Sequence, residues 1–258
     1  QEMKMPPNSW HVVAVQPKIT HHANIKGIDI SEAEAMPGVA KVILAKDLVA
    51  AGGSNVMAEG QFHERTTVMT PSRHVLCDEK IYRWGDVVGL VVADTKEHAR
   101  AAAAKVKVDV EELPAYLTYL EAVMPGAMRI HADTDNIFSQ QPVLKGVGLE
   151  GAEKVGEVIE NSAYSVEGSF FSTREPHMSI EGTTVQAYFD EDDMLTFQCK
   201  SQGVYSSLGR IGNSLGVPKD KMRVIMNPTG ASFGWSTNAG DLCLAAAFLQ
   251  HHRGDEVS

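Results

Sequence analysis

The chain has 258 residues, of which 43% are hydrophobic and 22% charged, enough for one large domain or two ordinary ones, each with its own core. Its formal charge of -10 and the lack of a Lys/Arg stripe exclude a nucleic-acid partner, which requires basic side chains to displace counterions. No run approaches the roughly eighteen apolar residues of a membrane-spanning helix.

Cys77, Cys199 and Cys243 are widely spaced and form no C-x-x-C pair. This speaks against a disulfide framework, a zinc site and a locally ligated iron-sulfur cluster. The first residues, "QEMKMPPNSW", lack a charged segment followed by an apolar one, so the sequence predicts a cytoplasmic protein without a membrane span. Residue 1 is not Met, which predicts that the gene product starts upstream.

In chain order, "WHVVAVQ" (10–16) predicts a strand, "SEAEAM" from Ser31 a helical turn stopped by Pro37-Gly38, and "VAKVILA" (39–45) a second strand. "DVVGLVVAD" (86–94) has the β-branched content of a buried strand, and "TKEHARAAAAK" (95–105) predicts a helix with Thr95 as N-cap. "VKVDVEE" (106–112) alternates as a half-buried strand does, and strand, helix and strand together have the length of a compact βαβ unit. Residues 1–125 form the first domain.

Residues 126–161 carry scattered Gly, Pro, Asp and Gln without sustained periodicity and predict an extended connection, with Ile130, Ile137, Phe138 and Val143 as anchors. A second organised region covers 162–258. There "YSVEGSFFST", "TTVQAYFD", "MLTFQCKS" and "KMRVIM" predict strands, and Val204, Leu208, Ile211 and Leu215 mark a helix stopped by Gly216 and Pro218. "NAGDLCLAAAFLQHH" predicts an Ala-rich buried helix.

The pairs His21-His22 and His251-His252 do not make natural chelates, because neighbouring side chains on a strand point to opposite faces; both read as solvated surface histidines. "GVGLEG" (146–151) lacks the strand and spacing of a dinucleotide fingerprint. "REPHMSIEG" places Arg174, Glu175, His177 and Glu181 between two strands, where they either line a pocket or close a turn through local ion pairs, the commoner arrangement.

The barest stretch is "PTGASFGWSTNAGD" (228–241), between an apolar strand and an apolar helix. Its glycines at 230, 234 and 240 allow backbone N–H groups to approach an anionic or oxo ligand, with the next helix pointing its positive end the same way. A tight turn that needs glycine dihedrals accounts for the composition equally well.

Read together, "FQCKSQGVYSSLGRIGNSLGVPKDKMRVIMNPTGASFGWS" resembles the molybdenum-binding region of the xanthine oxidase and aldehyde oxidoreductase family. "REPHMSIEG" is similar to that family's segment just upstream, and "MPGVAKVILAKDL" and "LCDEKIYRWGDVVGLVVADTKEHARAAAAKVKVDVEELPA" are similar to its hammerhead domain. The likeness runs over residues 3–248 and looks most like the bacterial aldehyde oxidoreductase group. It implies an α+β fold: a hammerhead-like α/β domain followed by the first part of a mixed α/β molybdenum-binding domain.

The resemblance also implies the site. Gln202 stands where the family's glutamine approaches the apical oxygen of molybdenum, with Gly203 following it in the same loop; Phe233 and Gly234 match the Phe-Gly pair beside the metal and its pyranopterin. Thr237 occupies a substrate-pocket position that is Glu in purine hydroxylases, and so favours aldehydes. Ala231 replaces the family's second loop glycine, and Ser236 a frequent lysine. The implied cofactor is molybdopterin with molybdenum, in its cytosine dinucleotide form, and the implied reaction is hydroxylation of an aldehyde or aromatic heterocycle with water as oxygen source. No catalytic residue and no direct metal ligand are expected in this chain. The general base, the rest of the molybdenum site and the iron-sulfur domain or subunit are expected in other chains or domains. The other reading is a truncated or diverged module that binds a partner protein without cofactor.

Overall fold

The computed structural model describes residues 8–57, 73–132, 135–137, 152–173 and 175–234. The elements of the first half are β1 (His11–Val15), β2 (Ala23–Asp29), α1 (Ser31–Glu34), β3 (Val39–Ile43), α2 (Ala45–Ala50), β4 (Val56–Met57), β5 (Arg73–His74), β6 (Lys80–Ile81), β7 (Gly89–Ala93), α3 (Lys96–Ala103), β8 (Lys107–Glu112) and α4 (Tyr119–Ala122). Those of the second half are α5 (Ala152–Glu160), β9 (Val185–Phe189), β10 (Leu195–Cys199), α6 (Val204–Leu215) and β11 (Met222–Met226).

β7 is the central strand of an antiparallel sheet of order β1-β7-β3, and all five of its residues are buried. Its uniform apolarity follows from what covers it. Val91 and Ala93 face Ala99 and Ala102 of α3, while Leu90 and Val92 belong to a cluster with Leu195, Phe197, Ile211 and Leu215 of the second half. One buried core therefore joins both halves, and Ser54 N–H donates to Ser214 O at 2.7 Å beside it. Thr95 caps α3 by accepting from His98 N, as its sequence predicts.

The expected βαβ unit does not form. β8 pairs antiparallel with β2 in a separate sheet of order β6-β2-β8. The length of a connection does not say which sheet receives the strand. The alternating exposure of β8 does, because a parallel partner of β7 would be buried on both faces.

A parallel crossover is found in the second half instead. β10 is flanked by β9, antiparallel, and by β11, parallel, with α6 as the connection. α6 ends where Gly216 adopts φ 69° and Val217 N–H reaches back to Gly212 O at 3.1 Å. Phe197, fully buried in β10, ties this sheet to the first one.

Three further differences separate structure from sequence. The 162–173 segment has no strand, although Tyr164, Val166 and Phe170 alternate as a strand would; these side chains are 94%, 99% and 98% exposed and face no sheet among the described residues. The connection is not extended throughout, since it includes α5, whose signal was the spacing of Val155, Val158 and Ile159. Among the described residues it is tied down by Asn136, whose amide bonds Ile130 N, Ala122 O and Met128 O, and by Lys80 donating to Ile130 O at 2.7 Å. Phe138, Val143, the "GVGLEG" stretch and the Ala-rich helix after the glycine loop lie outside the described residues.

Candidate functional site

Because β10 and β11 run parallel, both chains leave the sheet at the same edge, the usual place for a ligand beside a crossover. Lys200, Ser201 and Gln202 leave β10 there, and residues 227–234 leave β11. The ladder continues one step past the strands, with Asn227 N–H donating to Cys199 O at 2.8 Å and Gln198 Nε2 to Asn227 Oδ1 at 3.1 Å.

Gln202 and the glycine loop are brought together. Ser232 Oγ donates to Gln202 Oε1 at 2.8 Å, which commits the amide oxygen and leaves donation to the Nε2 hydrogens. Ser232 is buried and Gln202 exposed, so the anchored end lies inside and the amide lies at the surface. α6 begins two residues after Gln202 and directs its positive end to the same edge.

Gly203 serves the start of α6. Its N–H donates to Ser201 Oγ at 3.1 Å, and its carbonyl accepts from Ser207 N at 2.9 Å and Ser206 Oγ at 3.0 Å. An added Cβ there would lie 2.4 Å from Ser206 Oγ. Phe233 and Gly234 follow with φ of 53° and 92°. A positive φ is strained for an aromatic residue, and such strain gathers where a loop must present a side chain in a set direction. The Phe233 ring is 76% exposed, and among the described residues no atom lies within 4 Å of a Cβ built on Gly234. Thr237 and Ser236 lie outside the described residues.

The N–H groups expected to receive an anion have a different partner at two positions. Gly230 N and Ala231 N donate to Glu181 Oε2 at 2.7 and 3.1 Å. These bonds and the Lys200 ammonium, 3.7 Å from the same oxygen, hold the Glu181 carboxyl below the usual carboxylate range. Lys200, whose side chain is only 4% exposed, donates to Glu181 O at 2.8 Å and to Ala231 O at 3.1 Å. Glu181 therefore does not close a local turn but reaches the loop 49 residues away. Arg174 lies outside the described residues, and Glu175 accepts only locally, from Thr173 Oγ1 at 3.3 Å. The roles of Lys200 and Ser232 escape sequence reading, because the only cue for Lys200 is a lysine directly after an apolar strand.

A cavity of about 400 Å³ lies away from this edge, lined by residues of β1, α3 and β8, and Gln16 and Lys18 are its only polar side chains. Among the described residues no three His, Cys, Asp or Glu side chains converge as metal ligands. His22 is not a surface histidine as its sequence suggests: it is 3% exposed, with Nδ1 2.6 Å from Pro114 O. His21, at the surface, packs against Trp84. His251-His252 lies outside the described residues.

Two family models cover most of the chain. The one described as aldehyde oxidase and xanthine dehydrogenase, a/b hammerhead domain, matches residues 1–114, and the one described as molybdopterin cofactor-binding domain matches 131–258. The chain is 39% identical over 249 residues to an aldehyde oxidoreductase from Megalodesulfovibrio gigas, which covers 95% of this chain and 26% of that one. It is 28% identical over 230 residues to the large molybdopterin subunit of a nicotinate dehydrogenase from Eubacterium barkeri, covering 89% of this chain and 49% of the relative. The solved aldehyde oxidoreductase from Desulfovibrio gigas superposes with a TM-score of 0.82 at 39% identity, over 96% of this chain and 26% of that one. The chain thus spans between a quarter and a half of the length of these relatives. With a hammerhead-domain match, a cofactor-domain match and the fold of an aldehyde oxidoreductase in one order along the sequence, the chain belongs to the xanthine oxidase and aldehyde oxidoreductase family of molybdenum hydroxylases.

Proposed function

We propose that this chain forms one wall of the molybdopterin pocket in a hydroxylase that oxidises an aldehyde, or an aromatic heterocycle, with water as oxygen source. The observation that carries this reading is the Ser232–Gln202 hydrogen bond, which brings together the two segments that the family resemblance assigns to the cofactor. The greater identity to an aldehyde oxidoreductase than to a nicotinate dehydrogenase favours an aldehyde. Electrons leave through iron-sulfur centres held by another domain or chain. A cytoplasmic location fits the widely spaced cysteines.

The residues present fit the cofactor. The Gln202 Nε2 hydrogens would donate to an oxo group of the bound centre, a role suited to an amide whose oxygen is already committed to Ser232. The Phe233 ring would give a flat apolar wall, and Gly234, lacking a side chain, sits in the loop that would meet the pterin. The family resemblance assigns Thr237 to the substrate side, and the cytosine dinucleotide form of the cofactor fits the bacterial aldehyde oxidoreductase likeness. When bound, the molybdopterin centre supplies the oxidising power and the oxygen-transfer chemistry. This chain contributes orientation and hydrogen-bond donation, while the general base comes from the remaining segments of the site.

The test is aldehyde oxidation by the complete enzyme in ordinary water under dioxygen enriched in heavy oxygen. The proposal predicts a carboxylate product free of the label and loss of turnover in Gln202→Ala. Heavy oxygen carried from dioxygen into the carboxylate would overturn it.

A further inference from the structure

We propose that Glu181 and Lys200 are positioning residues, a clamp that holds the 227–234 loop against Gln202 so that Phe233, Gly234 and the Gln202 amide meet the cofactor in one fixed arrangement. This rests on the molybdopterin reading above. The geometry is specific. One carboxylate oxygen of Glu181 accepts the N–H groups of two consecutive loop residues, Gly230 and Ala231. Lys200 ties the carbonyl of Ala231 to the carbonyl of Glu181 and sits 3.7 Å from the carboxylate.

Three segments distant in sequence are thereby fixed to each other: residues 179–181, the exit of β10 and the loop after β11. Ser179 Oγ adds a bond to Glu181 O at 3.1 Å. The next residue along the loop, Ser232, passes this constraint to Gln202. Bonds to a charged acceptor are the stronger kind, and the near-complete burial of the Lys200 side chain keeps its ammonium little screened by water. A flexible glycine loop gains most from such a restraint, because its backbone has the most freedom to lose. The clamp also accounts for Ala231 at a position where the family resemblance implies glycine. The backbone N–H at 231 is used by Glu181, so what matters there is the donor and not the missing side chain.

The experiment uses the complete enzyme with Glu181→Ala, Glu181→Gln, Lys200→Met and Gln202→Ala, and reads three quantities. These are retained molybdenum after gel filtration, amide hydrogen exchange in the 229–234 segment of cofactor-stripped protein, and kcat and KM for an aldehyde. Glu181→Ala is expected to speed exchange at Gly230 and Ala231 by about tenfold or more, as loss of a charge-assisted acceptor requires. Retained molybdenum should drop with it. Glu181→Gln keeps an acceptor oxygen and should fall between Glu181→Ala and the parent protein in both readouts, so it carries the test if Glu181→Ala does not fold. In variants that keep cofactor, kcat should fall while KM holds.

Unchanged exchange at both amides, or unchanged molybdenum in Glu181→Ala and Lys200→Met while Gln202→Ala loses it, would overturn the clamp and leave the pocket reading standing. A parent enzyme without molybdenum, in the presence of every partner chain, would overturn the pocket reading and the clamp together.

Discussion

Ser232 and Gln202, thirty residues apart in sequence, are joined by a 2.8 Å hydrogen bond in which the serine hydroxyl donates to the amide oxygen. This contact turns a bare loop and a strand exit into one surface. It also decides which end of the amide serves as donor.

Ser232→Ala should therefore release the Gln202 amide to rotate without disturbing the sheets beneath it. In the complete enzyme kcat for an aldehyde should fall by about five- to tenfold, the worth of one oriented hydrogen bond, with a smaller change in KM. The thermal midpoint should stay close to that of the parent protein. Steady-state kinetics alongside thermal unfolding checks both statements.

His22 predicts a pH dependence of stability. Burial is the main cause that lowers its folded pKa below the ordinary 6.5, outweighing the upward pull of the Pro114 carbonyl, with the Lys80 charge lowering it further. The unfolded chain therefore binds a proton first as pH falls. The stability associated with neutral His22 is complete above pH 6.5 and is lost progressively as pH drops below that value toward the folded pKa. Denaturant titrations at a series of pH values should show this loss, and His22→Gln should flatten it.

Cys77 and Cys199 should resist thiol reagents. Burial pushes the Cys77 thiol up to about 12, with Asp86 and Asp78 adding to the shift, and pushes Cys199 up to about 11. In a Cys243→Ser background, which removes the thiol outside the described residues, neither should react at about pH 8, where the thiolate is nearly absent. Both should titrate once denaturant is added.

The 162–180 stretch should behave as an unsatisfied surface. Phe170, Phe171 and Ile180 are 98%, 81% and 102% exposed, and aromatic side chains on this scale mark contact sites. Phe170→Ser with Phe171→Ser should lower dye binding by the isolated chain while changing its stability by less than about 0.5 kcal/mol. In the complete enzyme the same pair should weaken association of the remaining segments, measured by co-purification.

Much of the fold is visible in the residues, and where it is not the reason is consistent. An apolar run marks β7 because a strand buried on both faces must be apolar throughout, and the Thr95 cap and the Gly216 stop mark their helix ends. Periodicity says that a face is to be buried, not what buries it. For that reason the alternation of Tyr164, Val166 and Phe170 predicts a strand where the described residues place no sheet, and the β7–α3–β8 series predicts a βαβ unit where two antiparallel sheets form. The positions of Gln202, Phe233 and Gly234 came from the family resemblance. Glu181 and Lys200 were not legible in their roles, since hydrogen bonds to a loop backbone leave no pattern in side-chain types.

The central claim is that Gln202 and the Phe233-Gly234 turn form one wall of a molybdopterin pocket, and metal analysis of the complete enzyme, purified with all its partner chains, tests it most directly. Stoichiometric molybdenum in the parent protein, with marked loss in Gln202→Ala and Gly234→Val, is the predicted result. Molybdenum absent from the parent protein, or retained unchanged in both variants, would contradict it.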